Sequence, residues 1–315
     1  MNPAHLELLR ELSVRGSLTA VAAATHRTPS ALSQQLRTAE RELGVALVEP
    51  VGRGIRLTTE GQLLAESADE VGEVLAGVRA RLDAAIGQPR GTVRIGTLPS
   101  AGAALLPPLL RRLRDTAIGL ELDDFDLAET DYAARTLDAD IVIAHSLTGD
   151  YPLGSDGLVR QVLAREPIDV ALPEGHPLCR HRRLRPEQLR ATSWIGVPEG
   201  YPFDTILLAV EERLGERLPR WVRVRDNQLV SELVRAGAGL ALLPRFTTRP
   251  ADGLVLRPLT GVRAARAISA LSRRDRVARL AVRTVIDELA AIGASLSGAP
   301  ARHPRGPAQA EDAEA

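Results

Sequence analysis

A polar segment at residues 28–41, TPSALSQQLRTAER, carries the side chains whose types and spacing point most directly to a chemical role. Leu32, Leu36 and Ala39 recur at helical spacing, so the segment predicts a helix with one apolar stripe and an opposite polar face. Hydroxyl, amide and guanidinium groups on such a face hydrogen-bond base edges and phosphates in the DNA major groove. The predicted contacts to DNA from this helix are Thr28, Pro29, Ser30, Ser33, Gln34 and Arg37.

This polar helix is the second of two helices predicted in residues 17–44. Ser17 or Thr19 can cap the first helix. Thr28 followed by Pro29 is typical of the start of the second, because proline lacks only an N–H that would be unpaired there. Helix, tight turn and polar-faced helix together form the helix-turn-helix pattern. The pattern alone is equally compatible with two amphipathic helices of any α-helical domain.

A short β-hairpin is predicted after these two helices. The β-type runs 45–48 and 55–57 flank the turn Gly-Arg-Gly, which places Arg53 at the tip of a wing. An arginine there can enter a narrow minor groove, where negative potential concentrates. The ordinary alternative is a solvated loop arginine. We assign Arg53 and Arg56 to the predicted DNA contacts.

A long helix is predicted from Thr59, its expected N-cap, to about residue 87, with Gln62 as the capping-box partner. Apolar residues recur along it at near-heptad spacing, and the positions between them are mostly charged. A long helix with one apolar seam requires a partner, which is either a second copy of the helix or the chain's own domain. The predicted dimer seam consists of Leu64, Val71, Leu75, Val78 and Leu82.

Strand and helix patterns alternate after a Gly/Pro-containing linker at residues 87–91. This alternation is typical of an α/β sheet covered by helices, and two sets of similar size suggest two lobes. From residue 296 to residue 315 the chain is rich in Pro and Ala, which predicts a disordered tail. The predicted strands are 92–97, 120–125, 139–146, 168–173, 193–197, 221–226, 239–244 and 265–272, and the predicted helices are 100–114, 127–137, 186–189, 205–214, 227–236 and 275–291.

The composition restricts the classes of function. The 315 residues include 40 basic and 40 acidic side chains, and every basic one is an arginine. DNA binding therefore requires a local basic surface rather than an overall positive charge. Aromatic residues make up 3% of the chain, which argues against single-strand binding by base stacking. The single cysteine, Cys179, cannot form an internal disulfide, and this fits a reducing compartment.

Signals of an enzyme, a metal site or a membrane protein are missing from the sequence. It contains no Gly-x-Ser-x-Gly elbow, no Gly-rich phosphate loop, and no His-x-x-x-His or Cys-x-x-Cys spacing. We therefore predict no catalytic activity, cofactor or metal. The first residues mix charges with leucines, unlike a signal peptide, and no apolar run approaches the ~18 residues of a membrane span. We expect a cytoplasmic protein.

Three motifs resemble the LysR-type transcriptional regulator family over about residues 3–291. GSLTAVA followed by TPSALSQQLRTAERELGVALVEPVGRGIRLTTEG is similar to the family's N-terminal signature, and EPIDVALPEGHPL and VRAGAGLALLP are similar to parts of its effector domain. The resemblance implies an all-α winged helix-turn-helix, a dimerising linker helix, and a two-lobed α/β effector domain of the periplasmic-binding-protein type whose last strand and helix return to the first lobe. The implied domains are 1–60 for DNA binding, 59–90 for the linker helix and hinge, and 91–295 for the effector domain, with lobe 1 at about 91–164 and 265–291 and lobe 2 at about 165–264.

Three residues differ from those common in the family. Thr25 stands where leucine is usual, Pro50 stands where arginine is common after the wing's first strand, and Gln34 stands where many members have arginine. The first difference predicts weaker packing between the two helices. The second removes one phosphate contact, and the third changes how a guanine is read.

The resemblance also implies the partners. We expect a double-stranded DNA operator with half-sites about 34 Å apart or a multiple of that distance, a homodimer or homotetramer, RNA polymerase, and a small-molecule effector. Two alternatives remain: a stand-alone solute-binding protein in residues 91–291, and a constitutive DNA-binding protein without an effector. The first requires a signal sequence or membrane anchor. The second does not need a two-lobed module.

The effector is expected at the carboxyl ends of the strands, where helix N-termini point. In the first lobe this place is the turn from Thr97 to Ser100, with Ser100 as the predicted helix cap. The N–H groups of Ala101, Gly102 and Ala103 are predicted to be free donors, which favour an anion such as a carboxylate. His145 follows the strand ADIVIA and either faces the cleft or merely ends its strand.

The second lobe is expected to close over the ligand. Tyr201 and Phe203 can cover an apolar body, and Asp226 and Asn227 can hold a polar or cationic group. A carboxylate on one side and an amine on the other would make the effector resemble an amino acid. The predicted effector class is therefore a carboxylate or an amino acid.

Overall fold

The computed structural model describes residues 2–52, 54–86, 88–125, 132–248 and 252–298. Its helices are α1 (Pro3–Arg15), α2 (Leu18–Thr25), α3 (Pro29–Leu43), α4 (Thr59–Ile86), α5 (Pro99–Leu113), α6 (Tyr132–Arg135), α7 (Pro202–Leu214), α8 (Asn227–Arg235), α9 (Arg274–Val277) and α10 (Leu280–Gly298). Its strands are β1 (Val48–Val51), β2 (Gly54–Leu57), β3 (Arg90–Thr97), β4 (Ala117–Asp124), β5 (Ile141–Ser146), β6 (Val159–Pro173), β7 (Trp194–Gly196), β8 (Arg220–Arg223), β9 (Ala241–Pro244), β10 (Leu254–Pro258) and β11 (Ala265–Ser272). Short 3₁₀ turns lie at Pro177–Arg180 and Pro186–Leu189.

Helices α1, α2 and α3 form a small core, and capping residues fix their ends. The hydroxyls of Ser17 and Thr28 accept hydrogen bonds from the backbone N–H three residues on, at 3.1 and 3.3 Å, so Ser17 rather than Thr19 caps α2. Gly16 and Gly44 end α1 and α3 in the left-handed conformation. The buried residues between these helices are Leu8, Leu9, Leu12, Val21, Ala22, Leu32, Leu36 and Ala39.

Strands β1 and β2 form an antiparallel hairpin, as predicted, with Val48 opposite Leu57. The first strand runs from Val48 to Val51 and not over the predicted 45–48. The cap of the following helix α4 is one residue earlier than predicted. The hydroxyl of Thr58, not Thr59, accepts the N–H of Gly61 at 3.1 Å. Thr58 is held there because its own N–H donates to the carbonyl of Leu47 at 3.1 Å.

The α/β domain that follows α4, called the effector domain after its expected role, is built on a sheet in the order β10-β6-β11-β5-β3-β4, with β9 also paired to β6. Strand β3 is parallel to β4 and β5, and β11 is antiparallel to β5 and β6. Strand β6 is longer than the predicted 168–173. Its residues 159–167 pair with β11, and its residues 168–173 pair with β9 and β10. One strand thus crosses between the lobes, and the implied lobe boundary near residue 164 falls inside it.

Helix α5 is continuous, although Pro107 and Pro108 predicted a bend or break. Its residues Leu105 and Leu109 are fully buried, whereas Pro107 is exposed. Packing of the apolar face on the sheet therefore holds the helix together where the local sequence disfavours it.

The C-terminal elements also differ from the prediction. The single helix expected at 275–291 is split into α9 and α10, and α10 continues to Gly298, past the expected start of the tail at residue 296. Residues 299–315 lie outside the described residues, as do residues 126–131 of the helix predicted at 127–137. Strand β10 has no counterpart in the sequence prediction, because its pattern LVLRP is short and ends in proline.

Two hydrophobic cores stabilise the effector domain. In the first lobe, α5 and α10 cover β3, β5 and β11, with Ile95, Ile143 and Leu289 fully buried. In the second lobe the core surrounds Trp194 on β7. Helix α10 packs against β6 so closely that a Cβ atom at Gly293 would lie 2.0 Å from the carbonyl oxygen of Leu163.

Ion pairs connect the N-terminal helices to the effector domain. Arg15 of α1 contacts Asp138 at 2.5 Å, and Asp69 of α4 lies 3.8 Å from Arg273. The buried Arg10 lies 3.4 Å from the same carboxylate of Asp69. Burial raises the pKa of Asp69. The linker helix is thereby held between α1 and the effector domain.

Candidate nucleic-acid interface and ligand cleft

The start of the polar helix α3 lies on the surface. Thr28, Pro29 and Ser30 are exposed, with Pro29 as the first helical residue. The hydroxyl of Thr28 caps the helix and lies 3.1 Å from that of Ser30. These two hydroxyls therefore already have a role in starting the helix, and this role does not require DNA.

The next turns of α3 present side chains without a protein partner. Gln34 and Arg37 are exposed and Ser33 is half-buried. Within the described residues, none of the three side chains makes a hydrogen bond or an ion pair. Gln35 instead donates from Nε2 to the carbonyl of Ala4 at 2.5 Å and thereby fixes α3 on α1. Gln35 therefore positions α3, whereas the side chain of Gln34 is available for a contact outside the chain.

The wing contributes a paired arginine. Arg56 donates from Nε and Nη2 to Oε1 of Glu49 at 3.1 and 2.6 Å, directly across the hairpin. Contact with a phosphate by Arg56 would have to compete with this exposed ion pair. Arg53 lies outside the described residues.

The linker helix exposes an apolar seam. Leu75, Val78 and Leu82 are 53%, 51% and 57% exposed. Leu64 packs partly on the core of the N-terminal domain, and Val71 is half-buried. Two further residues of the exposed apolar surface of α4, which the sequence assignment omits, are Leu63 and Val74.

A cavity of about 610 Å³ lies between the two lobes. Six of the predicted effector residues line it: Ser100, His145, Tyr201, Phe203, Asp226 and Asn227. Thr97, Ala101 and Gly102 do not line it. Thr97 and Ala101 are buried, and the hydroxyl of Thr97 donates to the carbonyl of Leu98 at 3.1 Å.

Ser100 is not the cap of α5, contrary to the prediction. Proline at position 99 takes the first helical position, so Leu98 is the N-cap residue. The N–H of Gly102 donates to the carbonyl of Leu98 at 3.0 Å and is not a free donor. The Ser100 hydroxyl oxygen instead accepts a hydrogen bond from Nη2 of Arg266 at 3.0 Å.

Arg266 is a cleft residue that the sequence analysis did not identify. It is 2% exposed, and its Nε and Nη2 contact Oε2 of the fully buried Glu166 at 2.8 and 2.6 Å. Oε1 of Glu166 accepts the N–H of Phe246 at 2.6 Å. The sequence contained one signal for it, an arginine inside the apolar run ARAISALS. A buried arginine requires a partner, so this position indicates a buried polar contact.

His145 lies on the wall of the same cleft and is 5% exposed. Its ring meets Tyr132 edge-on at 5.7 Å. Within the described residues neither ring nitrogen has a hydrogen-bond partner. Burial, together with the nearby Arg266 guanidinium, lowers the pKa of His145 from 6.5 to about 3. The imidazole is therefore neutral at physiological pH.

The neutral His145 makes stability depend on pH. Because its pKa is lower in the folded chain, the unfolded chain takes up the proton first, and stability is lost as the pH falls from 6.5 toward 3. Between pH 6.5 and pH 5 we expect wild type to lose about 1.5 kcal/mol more unfolding free energy than His145→Gln. Urea titrations at both pH values measure this difference, and parallel losses in the two proteins would contradict it.

The second lobe supplies the opposite wall. The phenol oxygen of Tyr201 accepts a hydrogen bond from Nη1 of Arg225 at 2.6 Å, and the guanidinium lies 5.3 Å from the ring centre. Asp226 caps α8 by accepting the N–H of Leu229 at 2.7 Å. Asp226 is therefore a helix cap as well as a cleft residue.

Comparison with known families identifies both parts of the chain. The family description "Bacterial regulatory helix-turn-helix protein, lysR family" matches residues 3–62, and "LysR substrate binding domain" matches residues 72–293. The chain belongs to the LysR family. It is a DNA-binding transcriptional regulator with an effector-binding domain, and it is not an enzyme.

Several transcriptional regulators are similar to this chain over most of its length. HTH-type transcriptional regulator TtuA of Agrobacterium vitis is 31% identical over 74% of this chain and 77% of its own length. Transcriptional dual regulator GltC of Bacillus subtilis is 27% identical over 69% and 72%. DNA-binding transcriptional dual regulator OxyR of Escherichia coli K12 is 28% identical over 82% and 85%.

Solved LysR-type structures share the fold. A full-length OxyR variant from Pseudomonas aeruginosa aligns with a TM-score of 0.66 at 22% identity, over 92% of this chain and 94% of its own. Full-length CbnR complexed with its target DNA aligns with a TM-score of 0.53 at 20% identity, over 93% and 100%. These matches agree with an N-terminal helix-turn-helix, a long linker helix and an α/β effector domain. In the described part of this chain, no helix is long and apolar enough to cross a membrane.

Proposed function

We propose that this LysR-type regulator reads its operator with α3 and responds to a small molecule held between the effector lobes. The observation that carries the DNA-binding half is the face formed by Ser33, Gln34 and Arg37, which is built on a capped, well-packed helix and has no partner within the described chain. Unpaired amide and guanidinium groups on a surface helix are suited to base edges and phosphates.

Gln34 is expected to set the sequence preference. Gln34→Ala should weaken binding to a preferred site by about 1–3 kcal/mol and relax selection at one base pair, because an amide reads a base edge through two hydrogen bonds. Binding titrations of the full chain over a randomised site library test this. Gln62→Ala, an exposed glutamine on α4, is the control and should leave the preference unchanged. An unaltered preference in Gln34→Ala would remove this face from the proposal.

The effector half of the proposal rests on the inter-lobe cleft. The cavity has the size of a small-molecule site and combines apolar side chains with a few polar groups, among them Ser100, His145 and Asn227. Because β6 crosses between the lobes, ligand binding can change the angle between them. We propose that this change shifts the arrangement of subunits on DNA and the contacts with RNA polymerase in the cytoplasm.

We propose that two subunits pair through the exposed seam of α4. Leu75→Glu places a charge among apolar side chains. We expect it to lower the association constant of the dimer at least about tenfold, which corresponds to about 1.4 kcal/mol. Sedimentation of the full chain measures it. Leu153→Glu, at a leucine that is 70% exposed outside the seam, is the control. If Leu75→Glu and Leu153→Glu sediment alike, the subunits pair elsewhere.

A peroxide-sensing role does not follow from the OxyR relatives. The only cysteine, Cys179, has no second thiol with which to form an internal disulfide. It is half-buried and lies 3.5 Å from the carbonyl of Pro173, and burial raises the pKa of its thiol. Since the thiolate is the form that reacts with peroxide, this environment disfavours oxidation.

A further inference from the structure

Arg266 lies in the inter-lobe cleft and uses only some of its N–H groups in hydrogen bonds. Nε and Nη2 of Arg266 contact Glu166 and Ser100, whereas Nη1 makes no hydrogen bond within the described residues. An arginine carries five N–H donors, so the two on Nη1 remain available. Because Arg266 lines the cavity, these two N–H groups are the donors that it can offer to a ligand.

Two neighbouring groups extend this donor set. The Ser100 oxygen accepts from Arg266, which leaves the hydroxyl proton of Ser100 free to donate. His145 is nine-tenths buried, lies on the same wall, and has no hydrogen-bond partner on either nitrogen within the described chain. A neutral imidazole offers one N–H and one acceptor. Arg266, Ser100 and His145 therefore form a corner of the cleft that is rich in donors. This corner suits a ligand group with several acceptors, such as a carboxylate.

The two other arginines that line the cleft have partners on the second lobe. Arg225 is engaged with Tyr201, and Arg235 pairs with Glu232 at 2.9 Å. The opposite wall also carries the carboxylate of Asp226, so the Arg266 side of the cleft is where one carboxylate of a ligand can meet unused guanidinium donors.

The space next to the Arg266 guanidinium has apolar walls. The Phe203 ring centre lies 5.8 Å from the Arg266 guanidinium carbon, and Leu98, Pro99 and Leu254 line the adjoining surface. A planar apolar body can stack beside Phe203 while its charged group reaches Arg266. Proline and leucine side chains offer no competing hydrogen bonds there.

We infer that the effector is a planar monocarboxylate whose carboxylate accepts from Nη1 of Arg266 and the Ser100 hydroxyl, with His145 as a further hydrogen-bonding contact. This inference rests on the proposed function of the cleft and names its ligand class. The sequence predicted that backbone N–H groups of α5 bind the anion. The inference assigns this contact to a side chain of β11 instead. Arg266 also links the ligand to Glu166 on β6, the strand that crosses between the lobes.

Three probes of one shape test the charge requirement on the full chain. Phenylacetate, phenylacetamide and phenethylamine have similar size and differ in the charge of the polar group. Thermal unfolding at constant ionic strength should show stabilisation by phenylacetate in the millimolar range and at least about tenfold weaker effects of the amide and the amine. Equal stabilisation by the amide, or no stabilisation by phenylacetate, overturns the inference.

Variants locate the contact. Arg266→Met combined with Glu166→Gln removes both buried charges together and thus avoids leaving one unpaired. This double variant and Ser100→Ala should each weaken phenylacetate binding at least about tenfold, whereas Arg165→Gln, at the neighbouring exposed arginine, should bind as wild type does. Unchanged binding in both cleft variants overturns the inference. A DNA titration of the same preparations tests the regulator function separately, since failure of the ligand class leaves DNA binding intact.

Discussion

Replacing Glu166 by glutamine is expected to lower the free energy of unfolding by about 3–5 kcal/mol, because it leaves the Arg266 guanidinium without its charged partner inside the protein. The two side chains are 0% and 2% exposed, and Oε2 of Glu166 receives both Nε and Nη2 of Arg266. The glutamine has nearly the same shape, so the loss reports the charge rather than a cavity. Urea unfolding at neutral pH measures it.

A matched exposed pair provides the control for this prediction. Glu121 and Arg94 form an ion pair at 2.8 Å with both side chains more than half exposed. Glu121→Gln should change stability by no more than about 0.5 kcal/mol, because water screens such pairs. The double variant Glu166→Gln with Arg266→Met should recover much of the lost stability. Equal effects of Glu166→Gln and Glu121→Gln would show that the buried charge is compensated in another way.

Substituting alanine for Gly61 should disrupt the junction between the DNA-binding domain and the linker helix. A Cβ atom there would lie 2.1 Å from the carbonyl oxygen of Leu47 and 3.3 Å from Cβ of Leu57. The Leu47 carbonyl also accepts the N–H of Thr58, so the chain around it is fixed. We expect a loss of about 1–3 kcal/mol from overpacking, and a large loss of operator affinity because the wing and α3 move relative to α4.

Gly77 on the same helix is the control for Gly61. A Cβ atom at Gly77 would meet no atom within 4 Å. Gly77→Ala should therefore raise stability by about 0.5–1 kcal/mol through helix propensity alone. Thermal unfolding and fluorescence anisotropy with labelled DNA measure both variants. If Gly61→Ala is tolerated as well as Gly77→Ala, the close contact at Leu47 has no role in aligning the two elements.

The helix-turn-helix was predictable because its signals are local. Ser17 and Thr28 each bond an N–H three residues away, and Gly16 and Gly44 end helices in the left-handed conformation. A capping residue acts within one turn of its own position, so the sequence shows both the residue and its effect. The one-residue error at Thr58 arose because the Leu47 carbonyl, eleven positions earlier, fixes that residue.

The cleft was only partly predictable because its contacts join distant parts of the chain. Strand-to-helix turns predicted Ser100, Tyr201 and Phe203 at the cleft, and all three line the cavity, but Ser100 bonds Arg266, 166 residues away. No periodicity in the sequence pairs these two positions. The sequence thus located Ser100 at the cleft but predicted that it caps a helix, whereas its hydroxyl is the partner of an arginine.

By itself, the sequence determined most of the element order, the polar face of α3 and the family, since each depends on residue types within a few turns of one another. Tertiary structure alone decided that Arg266 and Glu166 are buried together and that His145 is neutral. It also decided that β6 runs through both lobes. The physical reason is that the stability of a buried charge or a long strand depends on the groups packed around it, and those groups come from segments far apart in the chain.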